Sequence, residues 1–220
     1  VAEPVAIAIL AKAPVAGLAK TRLIPALGPE GAAALQARLT AQAVRTAAAA
    51  GTGPLALWAT PDATHPSFAD LARGHRLTLA CQPDGDLGTR MLAAVAAASG
   101  PALVIGTDCP ALTPAHLAAC AATLRDGIDA VAIPAEDGGY VLIGLRRPEP
   151  APFAGMTWGT AAVMAETRRR LARAGLSWRE PARLWDVDRP ADLVRLSRGP
   201  ILPEPDLRSG TDAAACPAAR

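Results

Sequence analysis

Aromatic side chains are scarce in this chain of 220 residues: phenylalanine, tryptophan and tyrosine together make up 3%, with a single tyrosine at Tyr140. No interleaving of aromatic and basic residues of the kind that stacks on nucleic acid is present. Nor does charge of one sign dominate. The formal net charge is +2, so no nucleic-acid partner or general polyanion is expected. Apolar runs stop short of the ~18 residues that a membrane span needs, and no signal-peptide pattern is seen, so neither a span nor a leader is expected. Cysteine is limited to Cys81, Cys109, Cys120 and Cys216, with no CxxC and no Cys/His cluster. That spacing argues against a zinc site, and a reduced, cytoplasmic protein is the simplest expectation. His65, His75 and His116 lack matched partners, so Ser/His/Asp-type nucleophilic catalysis has no support.

What the chain does have is apolar mass, 51% of its residues, much of it alanine. That is enough for one sizeable core. Strand-like and helix-like segments alternate. Strands are expected at 5–10, 54–60, 76–81, 102–106, 128–133 and 140–145. Helices are expected at 29–50, 67–73, 88–98, 114–125, 160–174 and 192–197, with Gly51 stopping the first. Such alternation predicts a mainly parallel sheet with helices on both faces. The short polar turn before Tyr140 predicts an antiparallel pair there and hence a mixed sheet. One domain over 1–199 is expected, followed by a proline- and alanine-rich, poorly packed tail over 200–220. The run Arg168-Arg169-Arg170 reads as a solvated helix face.

Six segments could carry chemistry. The first, Ala11-Lys12-Ala13-Pro14-Val15-Ala16-Gly17-Leu18-Ala19-Lys20-Thr21-Arg22, follows the first strand, and ligands bind at the carboxyl ends of strands in open α/β sheets. Small residues let backbone N–H groups line an anion site, and Lys20 and Arg22 add charge. The segment matches neither standard phosphate-loop motif, and a solvated basic turn remains the alternative. Asp108 ends a buried strand and is placed to hold Mg²⁺ or Mn²⁺, hard cations that take oxygen donors, or else to cap the helix after Pro110. In Trp185-Asp186-Val187-Asp188, the two aspartates fall on one side of an extended segment. Asp188 is placed to complete the metal site, or to cap the next helix. The loop Glu136-Asp137-Gly138-Gly139-Tyr140 is placed to border an acceptor, or to form a plain hairpin turn. Finally, Gly88 and Arg90 open a helix whose N-terminus favours an anion, and Trp158 offers a stacking surface or a core ring.

The motifs K-A-P-x-x-G-x-x-K-T-R-L, D-L-G-x-R-M, I-G-x-D-C-P, A-E-D-G-G-Y, W-G-T and D-V-D-x-P-x-D-L occur in this order. Over residues 5–197 the chain therefore resembles a family of bacterial GT-A-type transferases. It is similar, more distantly, to nucleotidyltransferases such as 2-phospho-lactate and molybdenum cofactor guanylyltransferases. The resemblance implies a single-domain, three-layer α/β/α nucleotide-diphospho-sugar transferase fold (GT-A, Rossmann-like) with a divalent metal. By the same resemblance, Ala11, Lys12, Gly17, Lys20, Thr21, Arg22, Gly88 and Arg90 would bind the nucleotide, and Lys20 and Asp108 would be catalytic. Asp108 and Asp188 would hold the metal. Glu136, Asp137, Gly138, Gly139, Tyr140 and Trp158 would face the acceptor. Two departures stand out: Arg189 where threonine is expected, and Gly106-Thr107-Asp108 where a tight D-x-D triplet would otherwise lie. The expected activity is metal-dependent transfer from a nucleotide-activated donor to a small-molecule acceptor. Glycosyl transfer leads, with nucleotidyl transfer from an NTP or a non-catalytic nucleotide-binding role as alternatives.

Overall fold

Apolar runs bounded by turns become strands, the central ones buried and the edge strands partly exposed. They are β1 (Ala6–Lys12), β2 (Leu55–Thr60), β3 (Thr78–Cys81), β4 (Ala102–Ile105), β5 (Ala130–Pro134), β6 (Tyr140–Leu145) and β7 (Trp178–Arg179). In this computed structural model, which describes residues 2–198, they form one sheet in the order β3-β2-β1-β4-β6-β5-β7. Neighbours pair in parallel except at β6, which runs antiparallel to both β4 and β5. The mixed, mainly parallel sheet expected from the sequence is therefore present. The tail expected at 200–220 lies outside the described residues.

Helices α1 (Ile24–Ala50), α2 (Pro66–His75), α3 (Leu87–Ala96), α4 (Pro114–Arg125), α5 (Val163–Arg173) and α6 (Pro190–Arg198) connect the strands. Alternation along β1 sends Ile7 and Ile9 to one face and Ala8 to the other. The first face packs on Val44 of α1, Phe68 of α2 and Leu117 of α4. The second packs on Met91 and Val95 of α3 and Leu171 of α5. Three layers result.

Element boundaries shift where local conformation overrides pattern. The first helix extends back to Ile24, but Gly28 leaves helical geometry at φ 71°, ψ 167°, so the regular stretch still opens at Pro29. Strand β3 starts later than expected because Arg76 terminates α2 in a left-handed conformation, φ 52°. The two-residue β7 was not expected. It is too short to leave a periodic signal and exists by pairing with Ala130 and Val131.

Chain order sets the site. The sheet grows outward from β1 through β2 to β3, then returns to place β4 on the other side of β1. This reversal creates a crevice at the carboxyl ends of β1 and β4, the place where open α/β sheets take ligands. Because β5 runs parallel to β4, its turn into β6 opens on the same rim. An apolar groove of about 490 Å³, lined by Ala8, Trp58, Ala80 and Ala94 among others, lies beside α3 and includes none of the rim residues.

Leu103, on β4 at the centre of the sheet, is fully buried. Leu103→Ala is expected to lower unfolding free energy by about 2–5 kcal/mol, read by chemical denaturation. A loss well below that range would mean the centre of the sheet collapses around the missing side chain.

Candidate active site

The segment after β1 leaves the sheet through Gly17, φ 80°, and tightens onto itself through Leu18 and Ala19 N–H bonds to the Val15 carbonyl. It ends at Lys20, which adopts the left-handed conformation at φ 47°, ψ 44°. A non-glycine residue held there is strained and must be constrained by its surroundings. The constraint is its side chain, which is only 5% exposed and reaches Asp108 Oδ1 at 2.7 Å. The same ammonium donates to the Val187 carbonyl at 2.6 Å. Lys20 thus ties together the loop after β1, the end of β4 and the segment before α6.

The segment before α6 is anchored independently. The Val187 N–H donates to the Asp108 carbonyl at 2.8 Å, and its side chain is buried with Leu23, Leu35 and Leu39. With Val187 turned inward, Asp186 and Asp188 flank it on the other side, as period-two geometry requires. Asp188 pairs with Arg22. The rim therefore carries two ion pairs, Lys20–Asp108 and Arg22–Asp188, each joining a cation of the loop after β1 to one of the two candidate metal carboxylates.

Neither aspartate caps a helix. Thr113 caps α4, in a capping box with His116, and Asp192 accepts from the N–H groups of Asp188 and Arg189. Arg189, in place of the expected threonine, leaves this turn intact.

Asp186 is the carboxylate that the sequence reading left without a role. Burial pushes it up to about 6, helped by the nearby carboxylates of Asp137, Asp108 and Asp188. The signal that could have found it is its same-side spacing with Asp188. Four carboxylates and two loop cations therefore share this region of the rim. Among the described residues, no three or more His, Cys, Asp or Glu side chains are grouped as a ready-made metal cage. Asp108 and Asp188 nonetheless fit a Mg²⁺ or Mn²⁺ that completes its shell with water and phosphate oxygens, the usual arrangement for these ions. Asp108 has the accessibility for it, its side chain being 44% exposed.

The remaining candidates divide. Lys12, Thr21 and Gly17 are exposed on the rim side of β1, whereas Ala11 is buried and its carbonyl accepts from Gln82 Nε2. Arg90 lies against the same glutamine, its Nη1 3.4 Å from Gln82 Oε1. Gly88 is buried, and a Cβ there would sit 2.8 Å from Phe153 Cβ and 2.9 Å from Trp158 Cζ2. Trp158 donates its indole N–H to Asp86, the N-cap of α3, at 3.1 Å, and meets Tyr140 edge-on. The Tyr140 hydroxyl goes to Met91 Sδ at 3.7 Å, and burial pushes its phenol above the ordinary range. Gly88 is thus buried against Phe153 and Trp158, while Tyr140 and Trp158 stay partly exposed and packed on each other.

In the acceptor loop, Glu136 pairs with Arg195, and Asp137 Oδ1 accepts from the Gly139 N–H at 2.9 Å. Gly138 has φ 96°, and a Cβ on it would lie 2.1 Å from the Ala161 carbonyl oxygen. Glycine is required there for the loop to pack on the start of the α5 segment. Cys109 is no nucleophile, because burial pushes its thiol up to about 12.

The raised Asp186 makes a pH prediction. Its folded value of about 6 exceeds the ordinary aspartate value of 3.8, so between the two the folded chain holds the extra proton. Ionising Asp186 therefore costs stability as pH rises through that window. Asp186→Asn should melt above the parent at pH 7, with the gap closing as pH falls to 4. A gap that does not change with pH would refute the crowding of carboxylates.

Among solved structures, the chain is similar to a protein of Desulfovibrio desulfuricans G20 provisionally described as a nucleotide-diphospho-sugar transferase. The two are 29% identical, with 94% of this chain and 90% of the other covered and a TM-score of 0.79. A nucleotidyl transferase from Methanothermobacter thermautotroptrophicus shares the fold at 15% identity, covering 88% and 96%, TM-score 0.58. So does glucosyl-3-phosphoglycerate synthase from Mycobacterium tuberculosis, solved with Mn²⁺, UDP and glucosyl-3-phosphoglycerate, at 10% identity, covering 88% and 75%, TM-score 0.54. No curated protein matches the chain. Residues 40–160, more than half of the chain, match the family described as an uncharacterized protein conserved in bacteria (DUF2064), and the chain belongs to that family.

Proposed function

We propose that this protein is a metal-dependent transferase that uses a nucleotide-activated donor, with a nucleoside diphosphate sugar as the leading donor class. The observation that carries the reading is the pair of ion pairs at the switch point, Lys20–Asp108 and Arg22–Asp188. Each joins a cation suited to phosphate with a carboxylate suited to a hard metal ion. The fold shared with the Desulfovibrio protein and with a Mn²⁺- and UDP-bound synthase supports it.

Donor phosphates would share the charge of Lys20 and Arg22, leaving the outward oxygens of Asp108 and Asp188 to hold the metal. A bound Mg²⁺ or Mn²⁺ supplies neutralisation of charge developing on the phosphate oxygens. Lys20 and Arg22 add fixed positive charge at the same place, where preorganised groups are worth most. In glycosyl transfer, an acceptor oxygen forms the new bond to the anomeric carbon as the bond to the diphosphate breaks. The acceptor proton passes to solvent water, and the diphosphate departs against the loop cations.

Nucleotidyl transfer is the second reading. It is favoured by the source of the two aspartates, which come from distant segments rather than one D-x-D triplet, and by a basic loop able to span a triphosphate. Pyrophosphate release from an NTP would decide for it. A non-catalytic nucleotide-binding protein remains the third, and binding without turnover of any donor would favour it.

The test is melting temperature against a panel of NTPs and nucleoside diphosphate sugars, with and without Mn²⁺. A ligand at ~100 times its Kd adds ~2.7 kcal/mol, a readily measured shift. Because each cation neutralises a metal ligand until phosphate arrives, metal and nucleotide together should stabilise more than the sum of each alone. Asp108→Asn should abolish the metal-dependent part while the protein stays folded, and Lys20→Ala should weaken the nucleotide response. Unchanged shifts in both variants would remove the metal and phosphate roles.

A further inference from the structure

Behind Asp108 runs a chain of buried polar groups that starts on α1. Gln36 is 3% exposed and Thr107 is 6% exposed, on an element and beside a strand otherwise packed with alanine, leucine and isoleucine. Buried polar groups of this kind are costly unless fully hydrogen-bonded. Gln36 Nε2 donates to Thr40 Oγ1 at 3.1 Å and to Thr107 Oγ1 at 3.0 Å. Thr107 Oγ1 in turn donates to Asp108 Oδ1 at 3.1 Å.

The direction of every proton in this chain is determined. Thr40 Oγ1 lies 2.8 Å from the Gln36 carbonyl, which can only accept, so the single hydroxyl proton of Thr40 is committed there. Thr40 can then only accept from the Gln36 side chain, which must present its NH₂ group. The other amide proton goes to Thr107, whose own proton is left for Asp108. Turning the Gln36 amide over would set its oxygen against the Thr40 hydroxyl oxygen with no proton between them. The relay therefore ends in an outward donor that an ionised Asp108 satisfies. Asp108 Oδ1 is held from two sides, by Thr107 and by Lys20. Among the described residues no hydrogen bond reaches Oδ2.

We propose that Gln36, acting through Thr107, is a positioning residue that orients Asp108 so that Oδ2 is the oxygen offered to a divalent cation. This rests on the reading of the rim as a metal and phosphate site. Partners behind a metal ligand commonly change metal affinity by about 10–100-fold when removed. Gln36 carries none of the sequence motifs and sits well away from the rim in the chain. It acts on the site only because α1 packs over the end of β4.

The test uses Mn²⁺ as metal and inorganic pyrophosphate as phosphate probe, with free Mn²⁺ read by its electron paramagnetic resonance signal. Thr107→Val keeps the shape and removes the donor, and should weaken Mn²⁺ binding in the presence of pyrophosphate by about tenfold. Thr107→Ser keeps the hydroxyl and should bind close to the parent. Gln36→Met keeps the volume and removes the amide, and should weaken Mn²⁺ in the same direction. Combined with Thr107→Val, it should add little, since both act through one oxygen. Pyrophosphate affinity without metal should stay near the parent's in every variant, which a general loosening of the fold would not leave intact.

If the parent takes no Mn²⁺ with pyrophosphate, the metal reading falls and this role falls with it. If the parent binds Mn²⁺ and both Thr107→Val and Gln36→Met bind it equally well, the metal reading stands and the positioning role is overturned. Should Thr107→Val fail to fold, the contrast between Gln36→Met and Thr107→Ser decides in the same way.

Discussion

A buried ammonium ion needs oxygen around it, and Lys20 finds two such oxygens on segments far apart in sequence. Its contacts with Asp108 and with the Val187 carbonyl hold three stretches of chain at one point of the rim. The left-handed backbone of Lys20 is tolerable because those contacts over-determine it. Burying the lysine charge alone would be strongly unfavourable, so the half-exposed aspartate holds it in place. Val187 adds a second tie between the same segments, through its N–H bond to the Asp108 carbonyl and its apolar side chain.

From this knot the electrostatics of the rim follow. Each of the two loop cations meets a carboxylate, so neither Lys20 nor Arg22 is left as a bare charge. Every carboxylate beyond the two pairs adds strain, and Asp186, raised by burial and by three neighbouring carboxylates, is where that strain collects. On the proposed reading, the two pairs exchange partners with a ligand of mixed charge, a polyanion carrying a divalent cation. The aromatic residues hold geometry. Trp158 joins the N-cap of α3 to the ring of Tyr140, and Gly88 and Gly138 let the adjoining loops approach as closely as they do.

Much of this was legible in the residues. Alternating apolar runs gave the strand and helix sequence, and the short turn before Tyr140 gave the antiparallel pair. Asp108 and Asp188 were readable as rim carboxylates because each follows a recognisable local pattern. Whether they capped helices was not readable, since Thr113 and Asp192 offer equally good caps nearby and only the folded backbone selects between them. Tyr140 and Trp158 stood out in the sequence as isolated aromatics beside glycines, but the partners they meet, each other, Met91 and Asp86, came only with the fold. Gln36 gave no signal at all: one glutamine in an alanine-rich helix reads as solvated until the strand facing it is known.

The sequence by itself determined the order of elements, the mixed sheet and the rim on which the basic loop and the acidic segments open, because periodicity and turn chemistry are local properties. Which charge meets which, which carboxylate is crowded and which buried amide stands behind Asp108 were decided only by tertiary structure. Those relations join residues up to 167 positions apart, and their energies depend on separation in space and on burial, neither of which exists until the chain has folded.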